Sequence, residues 1–194
     1  MKITKKTIFP WLLVFLIAVF VLLFIILRND TVTGYQYIEA RNELYSFEQN
    51  YVKVTIYLEY DAGQLPVICA LFEPMLKGYH LYGRNTPKTG VDGIGRPTLI
   101  ELKSNSSITA RGEIVESKTA IIDPYSDPSL SAPLYIYPDG PVALRLPIGI
   151  TATTGKALSG IIFITYMTCG SNGLCTAPVV DKAINITIPI TTSQ

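Results

Sequence analysis

Residues 51–60 read YVKVTIYLEY, and their alternation decides the fold class. Val52, Val54, Ile56 and Leu58 fall on one face and Lys53, Thr55, Tyr57 and Glu59 on the other, the two-residue period of a half-buried strand. The pattern recurs outward along the chain. Strands are expected at 66–72, 79–82, 98–102, 108–115, 134–137, 142–150, 161–168 and 183–190. Breaker residues separate them: Asp61-Ala62-Gly63, Asp92-Gly93-Ile94-Gly95, Asp139-Gly140-Pro141 and Thr154-Gly155-Lys156. A parallel α/β sheet needs helices between its strands, and the helical period is weak throughout. Short strands divided by Gly, Pro and Asp turns predict an all-β, antiparallel, immunoglobulin-like sandwich over 51–194.

Toward the N-terminus, residues 28–50 are polar and mixed and read as a tether. Residues 8–27, IFPWLLVFLIAVFVLLFIIL, form an unbroken apolar run. As a helix, roughly 20 such residues span about 30 Å, the thickness of a hydrocarbon core. Lys2, Lys5 and Lys6 precede the run, so the positive-inside bias keeps 1–7 cytoplasmic and sends the rest across. A cleaved signal would carry a shorter apolar stretch, roughly 7–15 residues, and a small-x-small site, which does not follow Leu27. The expectation is a retained single-pass anchor in the cytoplasmic membrane, with the domain in the periplasm or a comparable extracytoplasmic space. The formal net charge is +1 and no Lys/Arg cluster follows the first few residues, which argues against a nucleic-acid partner.

Three cysteines, Cys69, Cys169 and Cys175, fall in the exported part, where disulfides are permitted. If two pair, Cys169 and Cys175 are the natural couple, leaving Cys69 as a buried thiol in LPVICALF. In IIFITYMTCGSNGLCTAPVV, residues 161–180, these two bracket a hairpin tip with five residues between them. Closing so short a loop removes only about 2.4 kcal/mol of unfolded-state entropy, against about 4.7 kcal/mol for a 100-residue loop. Cross-strand spacing of about 4.5–5.5 Å also exceeds the disulfide Cβ ideal of about 3.8 Å, and strained or exposed bonds exchange readily. Small hairpin disulfides also serve rigidity alone, so the residues leave both roles open.

Other chemistries find less support. Zinc needs about four ligands, and His80 is the sole histidine. That leaves His80 as the one imidazole for Cys-His catalysis, which would require it beside a thiol. Residues 90–95, GVDGIG, precede no helix and read as a turn rather than a phosphate cradle. No carboxylate constellation suggests a hydrolase. In KGYHLYG, residues 77–83, His80 and Tyr82 share one face and Tyr79 and Leu81 the other, as either core packing or a shield for the disulfide.

Three stretches together resemble the N-terminal, immunoglobulin-like domain of the DsbD thiol:disulfide interchange family. Gly78-Tyr79-His80-Leu81-Tyr82 is similar to its glycine-aromatic-aromatic-aliphatic-tyrosine strand, Gly95-Arg96-Pro97-Thr98 to a G-x-P-T turn, and TYMTCGSNGLCTAPV to its cysteine hairpin. The resemblance covers about 51–190. It implies that Cys169 and Cys175 are the redox pair, needing no further cofactor. They would take electrons from a thioredoxin-like or membrane donor and pass them to extracytoplasmic thiol proteins, such as those of cytochrome c biogenesis. It also implies a shielding set of His80, Tyr82, Asp123 and Tyr125, the last two in a cap loop matched by Asp123-Pro124-Tyr125. Full-length members continue into a multi-helix membrane domain and a thioredoxin-like domain, whereas this sequence ends at Gln194, so a separate protein is the expected donor. The alternative is a non-catalytic binding or assembly module stiffened by a structural hairpin disulfide.

Overall fold

A computed structural model of the chain describes residues 40–60, 64–105, 107–151 and 157–189. The expected anchor at 8–27, most of the tether and the expected turns at 61–63 and 154–156 lie outside these. Every strand pairing is antiparallel, and among the described residues no helix is long and apolar enough to cross a membrane. The strands are β1 Ala40–Gln49, β2 Val52–Tyr60, β3 Val67–Pro74, β4 Tyr79–Leu81, β5 Leu99–Lys103, β6 Ile108–Ala110 and β7 Val115–Glu116. There follow β8 Ile121–Ile122, β9 Tyr135–Ile136, β10 Val142–Ile150, β11 Leu158–Tyr166, β12 Thr168–Gly170 and β13 Val179–Ile188.

One sheet runs β1-β2-β3-β10-β6, with β7 also on β10, and a second runs β13-β11-β5. Their inner faces share a core. Val52, Val54, Ile56 and Leu58 of β2 are fully buried, as the alternation predicts, against Ile162, Ile164, Ile184 and Ile186 of the other sheet. This is a β-sandwich. The opposite face of β2 is drier than the alternation predicts. Glu59 is buried because Arg145 and Arg41 lie over its carboxylate, with Nε to oxygen distances of 2.9 and 3.3 Å.

Strand β1 corrects the tether reading of 40–49. It pairs with β2 through a two-residue turn, Gln49 opposite Val52. Asn50 and Tyr51 both have positive φ, +51° and +60°, the requirement of the hairpin turn that follows strand twist. Asn50 and Tyr51 fill both turn positions, so the hairpin carries no glycine signal in the sequence. Two expected strands also divide. The 161–168 strand breaks at Met167, so β11 belongs to the small sheet and β12 to a separate ribbon with β4; 108–115 breaks into β6 and β7.

The β4–β12 ribbon leans on the short β8–β9 pair. Tyr137 N–H donates to the Leu81 carbonyl (2.9 Å) and Gly83 N–H to the Tyr135 carbonyl (2.7 Å), splicing β9 beside β4. A Cβ on Gly83 would stand 2.8 Å from that of Ala120, so this approach needs glycine. Leu81 enters the main core, while Tyr82 enters a second buried cluster with Val91, Leu134, Ile136 and Cys169.

Candidate functional site

The second cluster holds the cysteine chemistry. Cys169, the middle residue of β12, is disulfide-bonded to Cys175, which faces it as an isolated antiparallel bridge with Cα atoms 4.0 Å apart. The tip is ordered by its own backbone. Gly173 N–H donates to the Gly170 carbonyl and Gly170 N–H to the Leu174 carbonyl, each at 2.9 Å, and Asn172 Oδ1 accepts from Leu174 N–H at 3.1 Å. Behind the sulfurs, Thr176 N–H donates to the Thr168 carbonyl (2.9 Å), and the two threonine hydroxyls lie 3.1 Å apart. Asn50 Nδ2 donates to the Ala177 carbonyl at 2.6 Å, tying the outgoing leg to the β1–β2 turn. Sequence reasoning missed this brace because Asn50 lies 127 residues away.

The two sulfurs stand in unlike places. Cys169 is 3% exposed, whereas Cys175 is exposed with the whole tip and its neighbour Leu174 is 64% exposed. Over Cys169 lies β4. His80 is its direct cross-strand partner, and Tyr82, one diagonal away, donates from its hydroxyl to Cys169 Sγ at 2.9 Å. The His80 and Tyr82 rings meet edge to face, 5.8 Å between centroids. Both are buried, on the face of the ribbon that Cys169 shares.

Two loops close the cluster. Asp92 and Gly93 turn a tight hairpin, Val91 exchanging both backbone hydrogen bonds with Ile94, which confirms GVDGIG as a turn. Its Gly95, at φ +76°, would place a Cβ 3.1 Å from the Tyr82 ring, so the glycine lets the loop press on that ring. Asp92 also accepts from Ser131 N–H (2.7 Å) and Ser131 Oγ (2.8 Å), latching this loop to the one that carries Leu130. Asp123 is buried beside the cluster, and its Oδ1 accepts from Tyr125 N–H at 2.9 Å. Tyr125 itself is 67% exposed and stands outside the cluster.

Burial, reinforced by the Asp123 charge, pushes the Tyr82 phenol up to about 12, so it stays protonated and able to donate. Burial lowers His80, against the opposing pull of the Asp123 and Asp139 charges. Cys69 is a free, fully buried thiol on the outer face of the large sheet, opposite Tyr57 and Arg145 in register. Burial and then the Glu59 charge push it up to about 12. Chemically, the site can accept a thiolate at Cys175 while Cys169 departs into the Tyr82 hydrogen bond.

No family model and no curated protein sequence matches the chain. Among solved structures, the chain is similar to the DsbD N-terminal domain of Neisseria meningitidis in its reduced form. The two are 16% identical over 62% of this chain and 75% of that one, with a TM-score of 0.33. It is also similar to the N-terminal periplasmic domain of ScsB from Proteus mirabilis, 12% identical over 76% of this chain and 51% of that one, with a TM-score of 0.40.

Proposed function

We propose that this chain is a membrane-tethered, extracytoplasmic thiol:disulfide exchange module, an immunoglobulin-like domain that relays reducing equivalents through Cys169 and Cys175. Its donor is a thioredoxin-like or membrane-embedded dithiol protein and its acceptors are extracytoplasmic disulfide proteins, those of cytochrome c assembly among them. One observation carries the reading: a disulfide with one sulfur exposed and the other buried under a hydrogen-bond donor. A staple needs no such asymmetry. Exchange does, because it needs one sulfur that can be attacked and one that can leave.

The donor thiolate attacks Cys175 Sγ. A partner–Cys175 disulfide forms, the Cys169–Cys175 bond breaks, and its electron pair goes to Cys169, where the Tyr82 hydroxyl already points. The donor's second thiol then displaces Cys175, leaving the donor oxidised and this pair reduced. Toward an acceptor the order reverses: Cys175 attacks and Cys169 resolves. His80, Tyr82 and Asp123 shield Cys169 from adventitious thiols, while exposed Tyr125 presents its ring to a docking partner. Tethering confines the module near membrane partners and raises its effective concentration there.

The reduction potential tests this, measured on the Cys69→Ser chain against glutathione with thiol trapping. Dedicated oxidoreductases lie at about −120 to −270 mV, and that range is expected together with rapid reduction by a thioredoxin-like protein. A potential below about −300 mV, or a disulfide that no thioredoxin-like protein reduces in the folded state, makes the bond structural and favours the binding module.

A further inference from the structure

The exchange chemistry gives His80 no part beyond cover. His80 is 5% exposed, and its Nε2 is buried with no hydrogen-bond partner. A buried orphan nitrogen costs free energy and calls for an explanation. Its location supplies one. Directly opposite Cys169 in the β4–β12 register, His80 leaves the ribbon on the face that Cys169 uses, and its ring packs against the tyrosine that touches Cys169 Sγ. When the disulfide opens, negative charge appears on Cys169, a residue that is 3% exposed, where water solvates it poorly.

We infer that His80 is the proton acceptor coupled to this redox pair: opening the disulfide to a Cys169 thiolate is matched by proton uptake at His80, and the reduced state is held as Cys169 thiolate and His80 imidazolium with Asp123 beside them. The inference rests on the exchange reading for its use in the cell. The accounts balance. A dithiol donor gives up two electrons and two protons; the electrons break the Cys169–Cys175 bond, one proton makes Cys175 a thiol, and the other goes to the imidazole.

The charges around His80 suit the role. Asp123 and Asp139 both favour the imidazolium, and burial opposes it. While the disulfide is closed, Cys169 carries no charge and burial prevails. A thiolate across the ribbon adds a third negative charge and tips the balance. Tyr82 cannot take this part, since it already holds its proton and donates it. Asp123 cannot supply a positive charge. The orphan nitrogen is therefore the vacant acceptor that the reduced state fills.

Since the chain has a single histidine, imidazole titration by NMR reads His80 alone in the untagged, detergent-solubilised full chain. An opposite charge within about 4–6 Å strengthens an ionised form at least about 10-fold, so reduction by excess dithiothreitol should raise the His80 proton affinity by at least that factor. An unchanged titration overturns the inference. In the reduced Cys69→Ser chain, His80→Gln should move the onset of thiolate absorbance to higher pH, and an unmoved onset also overturns it. Should His80→Gln fail to fold, the NMR comparison decides alone. Dithiothreitol opens the disulfide whatever the natural partner, so a structural-range potential with an intact His80 response would defeat the exchange reading and spare this one.

Discussion

Cys69 and Cys169 are both buried cysteines on β-strands, 0% and 3% exposed, yet only one sits where chemistry can reach it. Cys69 lies mid-strand in β3, between two paired neighbours, its thiol driven up to about 12 by burial and the Glu59 charge. Cys169 lies on a three-residue strand at the edge of a satellite cluster and is joined to a sulfur in solvent. Burial alone makes a thiol inert. On the proposed exchange reading, Cys169 takes its reactivity from Cys175, which exposes the bond, while buried His80 and Tyr82 cover the leaving sulfur.

The largest expected effect breaks that dependence. Cys175→Ser leaves Cys169 as a second buried thiol, so disulfide exchange should vanish and Cys169 should be alkylated in the folded chain as slowly as Cys69. Cys169→Ser should instead leave an exposed Cys175 thiol that displaces thionitrobenzoate from a single-cysteine variant of a thioredoxin-like donor preloaded with it, giving a mixed disulfide that no second thiol resolves. Mass-mapped alkylation and non-reducing gels read both. Rapid alkylation of Cys169 in Cys175→Ser would show that the cap does not shield it.

Next comes the lid over Cys69. Glu59→Gln leaves Arg41 and Arg145 facing a neutral partner. Breaking a fully buried ion pair costs about 3–5 kcal/mol, and both arginines are about one-third exposed, so about 2 kcal/mol is expected from urea unfolding. Alkylation of Cys69 should rise with the unfolded fraction, since global opening is what uncovers a central strand. A rise much larger than the unfolded fraction would mean that a local opening reaches Cys69.

The smallest effect concerns the leaving group. Tyr82→Phe keeps the ring and removes the hydrogen bond to Cys169 Sγ. A bond to a charged group is worth about 1.5–3 kcal/mol, and the developing charge here is partial, so about a 10-fold slower reduction by a thioredoxin-like donor is expected. An unchanged rate in stopped-flow would reduce Tyr82 to packing.

Legibility followed the range of the interactions. The inward face of β2, the Asp92-Gly93 turn and the cysteine hairpin were all readable, because period, turn chemistry and close spacing are local. The β1 strand was not, since its turn uses Asn50-Tyr51 where the common signal is glycine. Nor was the burial of Glu59, which depends on arginines from two other strands. His80 was singled out as the one imidazole, but nothing local set it beside Cys169, 89 positions on, or near Asp123.

By itself the sequence determined an antiparallel β domain, a buried Cys69 and a hairpin pair at Cys169 and Cys175, because those follow from side-chain alternation and residue spacing within single segments. Only the fold set which cysteine faces solvent, that the Tyr82 hydroxyl reaches Cys169 rather than Cys175, and that the imidazole across from Cys169 has an unpartnered nitrogen. These depend on the approach of β4, β9 and β12 from distant parts of the chain, and no pattern within one segment encodes what another segment will cover.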